Sequence, residues 1–98
     1  MLGEKKMNVT LPKQNCPLCD RVVEFVGIDF GRKKKFNCPH CSVYKFSIAS
    51  EEAITKLSKE QKDIISKAAT QCRPQTMLLI WTDQDTKQIK YDCVPEKD

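Results

Sequence analysis

The pattern of apolar and polar residues changes period once along this chain, near residue 50. Before that point it suits strands. Arg21 to Ile28 (RVVEFVGI) is rich in β-branched and aromatic residues and predicts a strand. Asp29 to Arg32 contains Gly31 and predicts a hairpin turn, from which Lys33 to Asn37 returns as a second strand. Val43 to Ile48 predicts a third. Upstream, Met7 to Leu11 predicts a short extended lead-in that ends at Pro12, behind a frayed terminus at residues 1–6.

After residue 50 the apolar spacing becomes helical. Ser50 followed by Glu51-Glu52-Ala53 predicts a helix start, because a serine oxygen accepts from the free amides of a first turn and acids favour its positive end. Ile54 and Leu57 give that short helix one apolar side. Ser58-Lys59-Glu60-Gln61 predicts a second start, with the Ser and Gln spaced as a capping box. Ile64, Ile65, Ala68, Ala69 and Cys72 share one face of this second helix, and Pro74 ends it. Met77 to Trp81 is a continuous apolar run, suited to a strand buried on both faces. Asp83 to Thr86 is a polar turn, and Ile89, Tyr91 and Cys93 then alternate with Lys90 and Asp92 as in a half-buried strand. The tail Pro95 to Asp98 reads as loose. The expected fold is α+β and a single domain over residues 1–98, with a metal-pinned hairpin and third strand at 7–48, a helical segment at 50–73 and a β-hairpin at 77–93.

A chain this short buries a thin core, and a bound metal is one remedy. Cys16-Pro17-Leu18-Cys19 and Cys38-Pro39-His40-Cys41 supply it: two Cys-x-x-Cys pairs with 18 residues between them. Two residues between the cysteines let both sulfurs of one tight turn reach a single ion, and two such turns complete a tetrahedron of thiolates. Pro17 and Pro39 fix one backbone dihedral of each turn and remove a donor that would compete for the sulfurs. The expected ligands are Cys16, Cys19, Cys38 and Cys41, holding one Zn2+ in a closed structural site, with iron the second choice of metal. The competing use of six cysteines is three disulfides in a secreted protein. No apolar signal segment follows Met1 to Lys6, so the expected compartment is the reducing cytoplasm, where thiols meet metals. No stretch is long and apolar enough for a membrane span.

The two Cys-Pro-x-Cys turns and the strand–turn–strand between them resemble the zinc-ribbon group. The resemblance covers residues 14–48 and implies a hairpin carried on two metal-binding knuckles. Tyr44 to Leu57 is similar to the aromatic strand and Ser-capped helix that follow many such ribbons. Asp20 and Ser42 stand where many ribbons carry a glycine after the second cysteine, a position that takes a left-handed backbone. Residues 59–98 resemble no family, and zinc ribbons do not share one function.

Charge then narrows the partners. Net charge is +4, and residues 1–49 hold nine Lys/Arg against four Asp/Glu, whereas residues 50–98 hold eight against nine. Arg32-Lys33-Lys34-Lys35 lies at the hairpin tip, with Arg21 near the first knuckle and Phe25, Phe30 and Phe36 in the same segment. Cations contact phosphates and aromatic rings stack on bases, so Arg21, Arg32, Lys33, Lys34 and Lys35 are the candidate nucleic-acid contacts. The plainer reading is a solubilising hairpin edge whose phenylalanines cover the core. His40 is the only histidine and sits inside a knuckle, where the flanking sulfurs already converge, so it is expected in solvent rather than on the metal. Cys72, Cys93 and Trp81 are expected to pack in the core. No phosphate loop and no nucleophile with a base is present, so an enzyme is not expected. The expected function is a non-enzymatic zinc-ribbon module contacting nucleic acid. The alternative is a protein-interaction module or small regulator docking on a larger assembly, with Lys87 to Cys93 as an edge strand that adds to a partner's sheet or to a second copy.

Overall fold

The computed structural model describes residues 12–96. The lead-in at residues 7–11, the terminus at 1–6 and the last two residues of the tail lie outside them. Six strands and two helices follow one another as β1 (Lys13–Asn15), β2 (Val22–Ile28), β3 (Lys33–Cys38), β4 (Ser42–Ser47), α1 (Ile48–Thr55), α2 (Lys59–Thr70), β5 (Thr76–Thr82) and β6 (Ile89–Pro95). The class is α+β, as the pattern predicts. All six strands join one sheet in chain order, β1-β2-β3-β4-β5-β6. Neighbours are antiparallel except β4 and β5, which run parallel with Tyr44 opposite Leu78 and Phe46 opposite Ile80. Parallel neighbours need a long crossover, and both helices lie in it. The ribbon and the C-terminal hairpin are therefore two ends of one sheet, where the sequence pattern left them as separate pieces.

Both helices pack on one face of that sheet. Its strands present a row of large side chains across neighbours in register: Phe25, Phe36, Tyr44 and Leu78. Phe36 stacks on Phe25, Tyr44 and Phe46 with ring centroids 5.2, 5.5 and 5.3 Å apart. Such pairs contribute about 0.5–1.5 kcal/mol each beyond the area they bury. Ile54 of α1 and Ile65 and Ala69 of α2 close over the row and over Ile80, its neighbour on β5.

Helix starts show where local signals hold. Ser58 caps α2 as its spacing predicts, accepting from the Gln61 amide at 3.1 Å. Ser50 does not cap α1. The helix begins three residues earlier than such a cap would set it, with Ser47 at the cap position, and Ser50 is buried inside it. Its hydroxyl bridges Ser47 Oγ at 3.0 Å and Thr82 Oγ1 at 2.8 Å, so packing against β5 claims the oxygen that a cap would need. Ile64 is expected on the buried face of α2 and is instead exposed. Trp81 is likewise not a core residue: it sits on the sheet face away from the helices, and Met77, Leu78 and Ile80 carry the buried part of β5.

Candidate metal centre

Each knuckle is a tight turn closed by backbone bonds. In the first, Asp20 N–H donates to the Cys16 carbonyl at 2.7 Å and Cys16 N–H to the Arg21 carbonyl at 2.7 Å. In the second, Cys41 N–H donates to the Cys38 sulfur at 3.3 Å. Asp20 (φ 66°) and Ser42 (φ 73°) both take the left-handed backbone that glycine usually supplies after the second cysteine. The knuckle geometry survives the departure from the ribbon pattern. At Asp20 an Asn15 side-chain amide, 3.0 Å from Oδ1, holds the residue in place.

The turns bring the Cys16, Cys19, Cys38 and Cys41 sulfurs within 4.8 Å of one another, and Cys16, Cys38 and Cys41 are buried. Cys16 and Cys41 sulfurs are 3.9 Å apart and those of Cys19 and Cys38 3.5 Å. A tetrahedron with metal–sulfur bonds near 2.3 Å has edges of about 3.8 Å. The four donors therefore fit one ion, and the cluster is zinc-ribbon-like.

The electrostatics ask for a cation. The Cys41 hydrogen bond, opposed by burial and helped by the Tyr44 hydroxyl and by the Leu18 and Cys19 amides, brings the Cys16 thiol down to about 5. Cys41 moves the other way, driven up by Cys16 and by burial, with only the Ser66 hydroxyl easing it. Burial, eased by the Arg21 backbone, pushes Cys19 up to about 11, with Cys38 and Cys16 adding to the rise. Four sulfurs this close do not all ionise beside each other. A divalent cation at their centre removes that conflict.

Two residues reach the sulfurs from elements outside the knuckles. Tyr44, fully buried on β4, places its hydroxyl 2.8 Å from Cys16 Sγ. Burial, and then the Cys16 charge, push its own ionisation well above the ordinary phenol value, so it stays a donor. Ser66, buried on α2, lies near enough to Cys41 for its hydroxyl to favour the thiolate there. Neither stands out in the sequence. Tyr44 reads there only as part of a strand and Ser66 as one polar residue of a helix. The signal for Tyr44 is its spacing of three from Cys41, which says nothing until β4 is known to run back past Cys16.

The five basic residues do not converge. Arg21 lies beside the first knuckle, at the opposite end of β2 from the turn and roughly 20 Å of strand away. Arg32 is at the tip, where Gly31 N–H bonds the Ile28 carbonyl and Arg32 N–H the Asp29 carbonyl, each at 3.0 Å. Lys33 and Lys35 lie on the face away from the helices, and Lys34 points toward them. Its ammonium is 3.0 Å from Glu51 Oε1 and 2.8 Å from Gln14 Oε1, and Gln14 in turn donates to Glu51 at 2.9 Å. The same ammonium sits 4.8 Å over the Phe25 ring. Lys34 thus ties β3 to α1 and β1. Phe36 is core, Phe25 half-buried, and Phe30 projects from the turn with 99 % of its surface exposed. His40 is exposed and outside the sulfur cluster.

Cys72 and Cys93 depart from the expected core role. They form a disulfide, with Cα atoms 5.7 Å apart, that links the end of α2 to β6. Cys72 follows the last turn of α2, and Cys93 lies on the helix side of β6 opposite Leu78, so the sheet register brings them together. Among the described residues no helix is long and apolar enough to cross a membrane. No known protein family, no curated protein and no solved structure matches the chain.

Proposed function

We propose that the chain is a non-enzymatic binding module, held in shape by one Zn2+ on Cys16, Cys19, Cys38 and Cys41, that contacts single-stranded nucleic acid through the tip of its ribbon hairpin. Four thiolates close the coordination sphere and leave no position for a reacting water, which favours a structural over a catalytic metal. The observation that carries the nucleic-acid reading is Phe30: a fully exposed aromatic ring on a left-handed residue (φ 57°), between Asp29 at φ 54° and Gly31. A phenylalanine there gains nothing from the fold. Next to Arg32, and to Lys33 and Lys35 on one sheet face, it forms a stacking platform beside phosphate-binding cations. Lys34 and Arg21 drop out of the contact set, Lys34 because it is engaged with Glu51 and Arg21 because it lies at the far end of the strand.

Anisotropy of a labelled single-stranded oligonucleotide, DNA and RNA in turn, tests this on metal-loaded protein. Phe30→Ala should weaken binding about tenfold or more, the value of one base stacked on an aromatic ring. Lys33→Glu with Lys35→Glu should weaken it further and reduce its salt dependence. No binding of the native protein to either polymer at low salt overturns the nucleic-acid reading. Recovery of one protein partner in a pull-down that nuclease leaves unchanged would favour the docking alternative.

A further inference from the structure

Among the described residues, the two edges of the sheet are built differently. β1 is three residues long and follows Pro12, as a protected edge does. β6 is seven residues long, has no bulge in its register with β5 and carries no proline before Pro95. Most of its residues are exposed, and among the described residues its outer side pairs with nothing.

The direction of its free backbone groups follows from its bonds to β5. Asp83 N–H donates to the Gln88 carbonyl, and Glu96 N–H to the Gln75 carbonyl. Antiparallel pairs alternate, so Gln88, Lys90, Asp92 and Val94 turn their backbone groups inward to β5. Ile89, Tyr91 and Cys93 turn theirs outward. Cys93 confirms the direction: its N–H meets no strand and takes its neighbour's Asp92 carboxylate at 2.8 Å. Pro95, which has no N–H to give, falls on the outward set as well.

We infer that β6 pairs antiparallel with β6 of a second copy of this chain, across a twofold axis at Tyr91, joining two six-stranded sheets into one. The register is self-complementary. Tyr91 meets Tyr91 of the second copy as a hydrogen-bonded pair, and Ile89 meets Cys93 of the second copy as another, using the three residues whose groups face outward. Lys90, whose contact with Asp83 of its own chain is a long 4.0 Å, then stands directly opposite Asp92 of the second copy, and Asp92 opposite its Lys90, so the two charges of the strand satisfy each other twice. The Ile89 carbonyl of the second copy replaces the Asp92 carboxylate on the Cys93 amide and frees that carboxylate for Lys90.

Side chains agree with the backbone. Directly opposite residues project to the same side, so the helices of both copies lie on one face of the joined sheet. There each copy has a groove between α1, α2 and β6 whose apolar lining is Ala53, Leu57, Ile64, Ile89 and Tyr91, with Gln61, Lys87 and Gln88 also on its wall. Ile64 is 52 % exposed and Tyr91 39 %, and the twofold brings the two grooves together over the Tyr91 pair. Ile64, which breaks the buried face predicted for α2, gains a reason for its position.

Analytical ultracentrifugation of the full-length, metal-loaded protein tests the pairing. The native chain should sediment as twice 11.3 kDa at high concentration and dissociate on dilution. Lys90→Asp sets acid against acid at both charge positions and should raise the dimer dissociation constant about tenfold or more. Adding Asp92→Lys to that variant restores opposite charges across the axis and should return the constant to within about threefold of native. Metal content and melting temperature confirm that each variant folds. A native protein that stays monomeric at about 100 µM, a strength typical of weak pairing, overturns the inference and leaves the edge to a different chain. A dimer indifferent to Lys90→Asp, or one that the second change fails to rescue, overturns the register.

Discussion

The metal end and the crossover end of the sheet both use cysteine, in opposite ways. At the metal end, Cys16, Cys19, Cys38 and Cys41 stay unbonded to one another and converge on a site for an ion. At the crossover end, Cys72 and Cys93 bond directly and fasten α2 to the edge strand. The first set sits on tight turns at one end of the buried cluster, beside Leu18, Val23 and Tyr44, and their order depends on a ligand. The second set reinforces a region that already buries Ile54, Ile65, Ala69, Leu78 and Ile80. An apolar cluster of that size can form without metal, whereas two knuckles cannot. Tyr44 joins the regimes: its ring lies in the aromatic row and its hydroxyl on Cys16.

The largest effect expected is at the metal end. Changing Cys16, Cys19, Cys38 or Cys41 to Ser should abolish stoichiometric metal and unfold β1 to β3, because metal binding and folding are one equilibrium there, on the order of 10 kcal/mol. Strong chelator should do the same. Hydrogen exchange should then show β1 to β3 unprotected while α2 and β5 keep part of their protection. Loss of all protection together would break the contrast between the two ends.

Second in size is the covalent link. Cys72 and Cys93 are 21 residues apart, and closing a loop of that length restricts the unfolded chain by about 3 kcal/mol. Replacing both by Ala should lower the denaturation midpoint accordingly, and elemental analysis should still find one metal per chain. Metal lost together with the link would show that the ends are not independent.

Tyr44→Phe sharpens the comparison at the joint. It keeps the ring in the core and removes only the donor to Cys16, so metal affinity in a chelator competition should fall about 10–100-fold with little change in secondary structure. An unchanged affinity would reduce Tyr44 to a packing residue.

The smallest effect concerns Glu51. Burial works against its carboxylate, but the hydrogen bond from Gln14 and the hydrogen bond and charge of Lys34 outweigh it, so its pKa lies below the usual carboxylate value. A group depressed in the folded state contributes stability above its unfolded pKa and loses it as pH falls through the folded one. Glu51→Gln should cost about 1 kcal/mol at neutral pH, where that contribution is complete, and progressively less as acid protonates the native carboxylate. Denaturant titrations at several acidic pH values check the sign, and a cost that grows toward acid contradicts it.

Much of the ribbon was legible because its signals are local. A Cys-Pro-x-Cys turn is specified by residues that touch within it, and the hairpin between the turns by β-branched residues around Gly31. Ser58 was legible for the same reason, since its oxygen and the Gln61 amide lie in one turn. Ser50 carries an equally good local signal and misleads, because Thr82, from β5, takes its hydroxyl. Lys34 reads as one of four equivalent cations, and only the alternation of β3 against α1 separates it from Lys33 and Lys35.

By itself the sequence determined which four cysteines form the candidate metal site, the order of elements and the α+β class, since each follows from chemistry or periodicity within a few residues. Tertiary structure alone decided that the ribbon and the last hairpin share one sheet, through the parallel pairing of β4 with β5. It also decided that Tyr44 reaches Cys16, that Ser66 lies by Cys41, that Cys72 finds Cys93, and that Trp81 and Ile64 fall outside the core of the chain. The physical reason is the same in each case. These partners lie at least 20 residues apart in the chain or face a neighbour only once strand register is set, and no local propensity encodes which of two distant faces will meet.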